Sequence, residues 1–239
     1  MHFVLISIFM VKIMIVTFFI GLVGYLVFAK IRDCRLLKSV TGLHRGTKSE
    51  RALILKLLKY GIHPKAIFHD LYVKKIDGSY SQIDLVVATK VGMLIFEVKD
   101  YSGWLFGNGT QRQWTQVLAY GKEKYRFYNP VMQNNKHISN LRKQLRQFEN
   151  VPFYSIIVFY GNCTLKEISS IPNETFLVYS QKVIDVVSFI VNNNEPVKYA
   201  DKQEVVWLLS QSAQNGDSIE TRMKHIQDIQ DVHWRNERN

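Results

Sequence analysis

Gln82-Ile83-Asp84 and Glu97-Val98-Lys99 place two carboxylates, an amide and a primary amine in two apolar segments, with Glu97 thirteen residues after Asp84. The surrounding residues read as strands over Ser81–Ala88 and Met93–Lys99, with Gly92 in the turn between them. Alternate side chains of a strand share a face, so Gln82 points with Asp84, and Glu97 with Lys99. A hairpin centred between Lys90 and Val91 sets Asp84 opposite Glu97 and Gln82 opposite Lys99, with Cβ atoms about 4.5–5.5 Å apart. Facing carboxylates repel unless something neutralises them, and a divalent cation (Mg²⁺ or Mn²⁺) beside a lysine would do so. Two carboxylates suit the oxygen shell of such an ion, with waters and a substrate phosphate filling the remaining positions. The ion would polarise a phosphoryl oxygen and acidify a bound water, while Lys99 orients that water or stabilises developing charge. That is phosphodiester chemistry. The same spacing also suits an exposed hairpin face with a cross-strand Glu–Lys pair, and spacing alone leaves both open.

Three further groups attach to this pair. Thr47-Lys48-Ser49-Glu50 is a capping box, with Glu50 at the third helical position. Glu50 also precedes Leu53, Ile54 and Leu57 by three, four and seven residues, which puts it at the head of an apolar stripe and aims it at the sheet. Gln133 and His137 lie four apart on a helix opened by Asn129-Pro130, suited to a phosphate or a metal's water shell, or simply to a polar flank. The stripe of that helix is Ile138, Leu141, Leu145 and Phe148. Arg142, Lys143 and Arg146 lie largely off it, as nucleic-acid contacts or as a solvated face.

The elements that must position these groups follow from periodicity. A helix is expected from about Ser49 to Tyr60, ended by Gly61 and Pro64, then a strand over Ala66–Lys75 and a turn at Asp77-Gly78. Short strands carry Trp104, Phe106 and Trp114. Val151–Tyr160 is nearly continuous in apolar character, as in a central strand covered on both faces. Thr175–Tyr179 reads as another strand, with helices near Gln181–Val191 and Gln203–Ser212, and a frayed helix or mobile tail from Gly216. The pattern is α/β.

Residues 1–29 differ in kind. Ile13–Ala29 carries no charge, and Met1–Val11 is nearly as apolar, with Lys12 between them. A lysine at a bilayer centre costs about 2.5–3.5 kcal/mol, and each Leu, Ile, Phe or Val returns about 0.3–0.6. Lys12 stands near the start of the longer run, where its stem can snorkel. Without a basic leading region or a small-x-small cleavage site, the segment reads as a single-pass anchor rather than a cleaved signal peptide. Lys30, Arg32, Arg35 and Lys38 against Asp33 place the C-terminal body in the cytoplasm. The unpaired Cys34 and Cys163 suit a reducing compartment. The net charge of +11 calls for an anionic partner, nucleic acid or membrane surface.

In order, Gly46-x-x-x-Glu50, Gln82-Ile83-Asp84, Glu97-Val98-Lys99-Asp100-Tyr101-x-Gly103, Trp114 and Asn129-Pro130-x-x-Gln133-x-x-x-His137 closely resemble the nuclease-related domain (NERD), placed in the PD-(D/E)XK superfamily. The resemblance covers roughly Gly42–Phe148. It implies a restriction-endonuclease-like mixed sheet flanked by helices, Asp84 and Glu97 as metal ligands, Lys99 as catalytic lysine and Glu50 as the first-helix acid. Gln82, Gln133 and His137 match further family positions, and Ile83 stands where the superfamily name has proline. The expected organisation is an anchor with a basic juxtamembrane segment (1–38), a nuclease-like domain (39–195) and a C-terminal helix with a polar tail (196–239). The expected function is a membrane-anchored, bacterial, Mg²⁺-dependent nuclease acting on DNA, with Asp84, Glu97 and the Val98 carbonyl as the ion's ligands. A catalytically inactive nucleic-acid-binding or scaffolding module on the same fold is the alternative. A further one gives the basic surface to anionic lipid.

Overall fold

The computed structural model describes residues 2–237, with side chains for residues 10, 12–228 and 230. Met1 of the expected anchor and residues 238–239 of the expected tail lie outside the described residues.

The chain opens with α1 (His2–Lys38), whose apolar residues from Ile13 to Phe28 are exposed all round, while Leu37 at its end is buried in the core. A helix that is apolar on every side has no single face to bury in a water-soluble core. The stretch Lys12–Lys38, 27 residues long, spans about 40 Å at 1.5 Å per residue, more than a hydrocarbon core of about 30 Å. By length and composition it can cross a membrane or serve as a signal sequence.

The body is built on two mixed sheets. The first has the order β1 (Ile67–Lys74), β2 (Tyr80–Thr89), β3 (Gly92–Asp100), β7 (Phe153–Tyr160) and β9 (Thr175–Tyr179). β1, β2 and β3 are antiparallel neighbours, whereas β3, β7 and β9 run parallel. The second sheet has the order β6 (Glu123–Tyr128), β5 (Gln113–Leu118), β4 (Gly103–Asn108) and β8 (Cys163–Ser169). β6 and β8 were not expected. Neither is apolar enough to announce itself, since β6 is mostly exposed and β8 alternates charged with half-buried residues.

Helices cover both faces of the first sheet. On one, α2 (Lys48–Tyr60) and α4 (Val183–Asn193) pack Leu53, Ile54, Leu57, Val187 and Ile190 against Leu94, Phe96 and Ile156. On the other, α3 (Pro130–Arg142) and α5 (Lys202–Asn215) bury Leu141, Val205 and Leu209 with Ile83, Met93 and Ile95. This double cover explains the continuous apolar character of β7, and the architecture is the expected mixed α/β sheet flanked by helices.

One expectation about helices is corrected. α3 ends at Arg142, so Leu145 and Phe148 do not continue its stripe; Phe148 instead reaches the same core from a 3₁₀ turn over Arg146–Asn150. Of the two alternatives for the stretch after Gly216, the structure has the helix, α6 (Ile219–Glu237), which docks on the body where Tyr72 and His225 meet edge to face.

Candidate active site

The β2–β3 ladder stops at Leu85 opposite Phe96. The next positions in that register are Asp84 and Glu97, as the hairpin predicts, but they lie in an opening rather than in the ladder. Asp84 Oδ2 accepts the Val98 N–H at 2.7 Å, taking the amide that a longer ladder would have used. From Glu97 to Asp100, β3 pairs only with β7. A residue's N–H and C=O leave a strand on the same side, so the Val98 carbonyl also faces the opening.

Gln82 therefore does not oppose Lys99. It is registered with Tyr72 of β1, and its Nε2 donates to Asp70 Oδ1 at 2.8 Å. The cause lies in β1, where Asp70 adopts φ 54° and breaks the alternation. Phe68 shares a core with Leu71 and Val73, an odd step instead of an even one.

Glu97 is 1% exposed, with Oε1 2.6 Å from Lys99 Nζ and Oε2 3.4 Å from His137 Nε2. Lys99 Nζ also donates to Gln133 Oε1 at 3.0 Å, which leaves one N–H of the ammonium for another partner. His137 Nδ1 meets Ser81 Oγ at 2.9 Å. Burial pushes the Glu97 carboxyl up, but His137 and Lys99 together outweigh it and hold the group below its usual range. For Lys99, burial favours the neutral amine, yet Glu97 and Asp84 prevail and keep it an ammonium with a raised pKa. Asp84 goes the other way. Burial and the charges of Glu97 and Glu50 raise its pKa well above 3.8, and the Val98 amide and Lys99 do not compensate.

Glu50 closes the expected capping box and also turns toward the sheet. Its Oε1 accepts from Thr47 N at 3.2 Å and from Thr47 Oγ1 at 2.8 Å, while Glu50 N donates to Thr47 Oγ1, completing the capping box. Its Oε2 lies 2.9 Å from His69 Nε2, on the sheet side. Burial raises the Glu50 pKa, and His69 and Thr47 more than reverse this. His69, whose Nδ1 meets Thr41 Oγ1 at 2.7 Å, was not foreseen. The signal was available: a His-Asp pair interrupts the apolar run of β1. Ser49, beside Glu50, donates to Asp100 Oδ2 at 2.5 Å and ties the start of α2 to the end of β3.

α3 is placed by amides. Asn129 Oδ1 accepts from Val131 N, while its Nδ2 donates to the carbonyls of Asn108, Gly109 and Gln111 in the β4–β5 turn. Trp114 Nε1 donates to Asn108 O, and its ring is fully buried. Asn134, buried in mid-helix, donates to Ile95 O and Ser155 Oγ, both at 2.9 Å. Asn129, as the expected helix start, together with Trp114 and Asn134 thus holds the helix carrying Gln133 and His137.

The three basic residues are not brought to the opening. Arg142 stacks its guanidinium on Phe153, 4.5 Å from the ring centroid. Phe153 is paired with Met93, four residues before Glu97, which is about 13 Å along the strand. Lys143 and Arg146 are exposed beyond it.

Whether the opening suits a divalent cation is a question of donors. Among the described residues, no three His, Cys, Asp or Glu side chains converge to enclose an ion. Two carboxylates and a facing carbonyl supply hard oxygen donors, and the buried Glu97 Oε2 has only the long 3.4 Å approach of His137 Nε2, without a well-formed hydrogen bond. The donor set fits Mg²⁺ or Mn²⁺ with the shell completed by water and substrate.

Residues 45–160 match the family model of the nuclease-related domain. An uncharacterized protein of Bacillus anthracis is 29% identical over 157 residues, covering 64% of this chain and 72% of that protein. No solved structure matches.

Proposed function

Because residues 45–160 match the model of the nuclease-related domain family, we propose that this chain is a membrane-anchored, Mg²⁺-dependent nuclease that hydrolyses DNA from the cytoplasmic side. The observation that carries the reading is the opening at the end of the β2–β3 ladder. There Asp84 and Glu97 stand together with the Lys99 ammonium 2.6 Å from Glu97.

Asp84, Glu97 and the Val98 carbonyl would hold the ion, with Glu50 supporting it through a water. When bound, Mg²⁺ supplies charge on the scissile phosphate and an acidified water. Lys99, fixed by Glu97 and Gln133, presents its remaining N–H to the attacking water or to a phosphate oxygen. His137, braced by Ser81, restrains the Glu97 carboxylate from the far side. The basic composition favours a polyanionic substrate.

The rival reading is an inactive nucleic-acid-binding or scaffolding module on the same fold. The full chain in detergent, incubated with duplex and single-stranded DNA with and without Mg²⁺, separates the two. Metal-dependent cleavage lost in Asp84→Asn and Glu97→Gln supports the nuclease. Salt-sensitive binding without cleavage, unchanged by both substitutions, sinks it.

A further inference from the structure

Two contacts fix the direction in which α1 leaves the body. Near the start of α2, Thr41 Oγ1 meets His69, which holds Glu50. Near its end, Lys59 Nζ donates to Asp33 Oδ2 at 2.5 Å. Chain position falls from 41 to 33 as it rises from 50 to 59, so the two segments are antiparallel. Everything upstream of Asp33 therefore departs past the C-terminal end of α2. His63, three residues past the end of α2, lines one cavity with Lys90 of the β2–β3 turn, and Ile67 at the start of β1 pairs with Val87, so both lie at that same end. Asp84 is six residues away along β2, about 20 Å toward the opposite end.

The end beside α1 is basic. A cavity of about 480 Å³ opens there, walled by Ala88, Val205 and Val206, with His63, Lys65, Lys90 and Lys202 around it, all four exposed. Its lining contains no carboxylate. Of the neighbouring acids, Asp201 caps α5 by accepting from Gln203 N and Glu204 N, and Glu195 adjoins the wall at Pro196. Only four residues, about 6 Å of helix, separate Asp33 from Ala29 at the end of the apolar run. Asp33, which marks that end of the body, therefore lies within a Debye length of about 8 Å of the apolar run, and exposed lysines reaching the same level are drawn to an anionic leaflet.

We propose that this end of the body rests on the phosphate headgroups of anionic phospholipids, with Lys65, Lys90 and Lys202 around the cavity as the contacts. The Asp84–Glu97 opening then faces away from the bilayer. This rests on reading α1 as a membrane anchor.

The test uses the full chain with Cys34→Ser and Cys163→Ser, in nanodiscs of phosphatidylcholine with or without one-third phosphatidylglycerol. A fluorophore is attached at His63→Cys, at Lys48→Cys near the opening, or at Phe19→Cys within α1. Spin-labelled lipid headgroups should quench the His63 position at least threefold more than the Lys48 position in anionic discs. Lys65→Gln/Lys90→Gln/Lys202→Gln should remove that excess. Equal quenching at the two positions, with the Phe19 position still quenched by a label on the acyl chains, overturns the docking and leaves the anchor intact. A water-exposed Phe19 position overturns both. Protection of the His63 position by added duplex DNA, but not by anionic lipid, makes this a nucleic-acid surface and overturns the proposal.

Discussion

Asn134 Nδ2 donates to the Ile95 carbonyl at 2.9 Å, two residues before Glu97, so the helix carrying Gln133 and His137 is fixed to the strand that carries Glu97 and Lys99. Asn134→Ala leaves the buried Ser155 hydroxyl without this partner and takes the side-chain donor from a carbonyl that stays in the β3–β7 ladder. The expected loss is about 1–3 kcal/mol, read from urea unfolding with an unchanged slope. A variant as stable as the wild type would mean that α3 is located by its apolar contacts alone.

Asp84→Asn should separate stability from chemistry. It removes a carboxylate that burial and two negative neighbours already disfavour as an ion. The metal-free variant is expected to melt higher than the wild type, as often happens when a strained functional group is neutralised. The wild type should gain thermal stability on addition of Mg²⁺, and the variant should gain none. Equal gains in both would remove Asp84 from the metal site.

Gly46 has φ +61°, and a Cβ there would come within 2.4 Å of both Glu50 Oε2 and His69 Nε2. Gly46→Ala must therefore displace the Glu50–His69 pair as well as strain the backbone, with an expected cost of about 1–3 kcal/mol. Gly61→Ala is the matched control, because its φ of +107° is also left-handed but nothing lies within 4 Å of the added Cβ. Comparable destabilisation with full activity in both would show that the Glu50–His69 contact is dispensable.

Acid should loosen α6 before the rest of the body. Burial, assisted by Lys75 and His137, holds the His225 pKa below 6.5 against the opposing Tyr80 carbonyl and Asp228. A depressed histidine contributes stability that is present above the unfolded value near 6.5 and is lost as pH falls through the folded value. Its neutral Nδ1–H donates to Tyr80 O at 3.1 Å. Protection factors over Ile219–Glu237, taken against the intrinsic exchange rate at each pH, should fall between pH 7.5 and pH 5.5, and less so in His225→Gln. Unchanged protection factors across that range would rule this out.

What was legible in the sequence was periodic or local. The α2 stripe, the Thr47–Glu50 capping box and the Asn129-Pro130 helix start depend on residues within a few positions of each other. The β2–β3 register could be counted from its turn, so Asp84 and Glu97 were found facing one another. The partner of Gln82 could not be counted, because it depends on the left-handed backbone of Asp70 in another strand. Arg142 looked available because a single helix face does not reveal that Phe153, eleven residues on, rises beneath its guanidinium. His69 was hidden for the same reason, since its partners Thr41 and Glu50 come from segments far from it in the chain.

The hydrogen-bond chain from Thr41 through His69 to Glu50 gives the junction with α1 a mechanical meaning. Thr41 follows α1 by three residues, and its hydroxyl joins that helix's exit to the sheet. Tension or tilt imposed on α1 therefore enters the body by two routes, through buried Leu37 into the hydrophobic core and through Thr41 and His69 to the carboxylate at the head of α2. The segment between helix and body therefore behaves as a lever seated in the site, not as a slack leash. Cutting it after Lys38 would unload Glu50 as well as free the body.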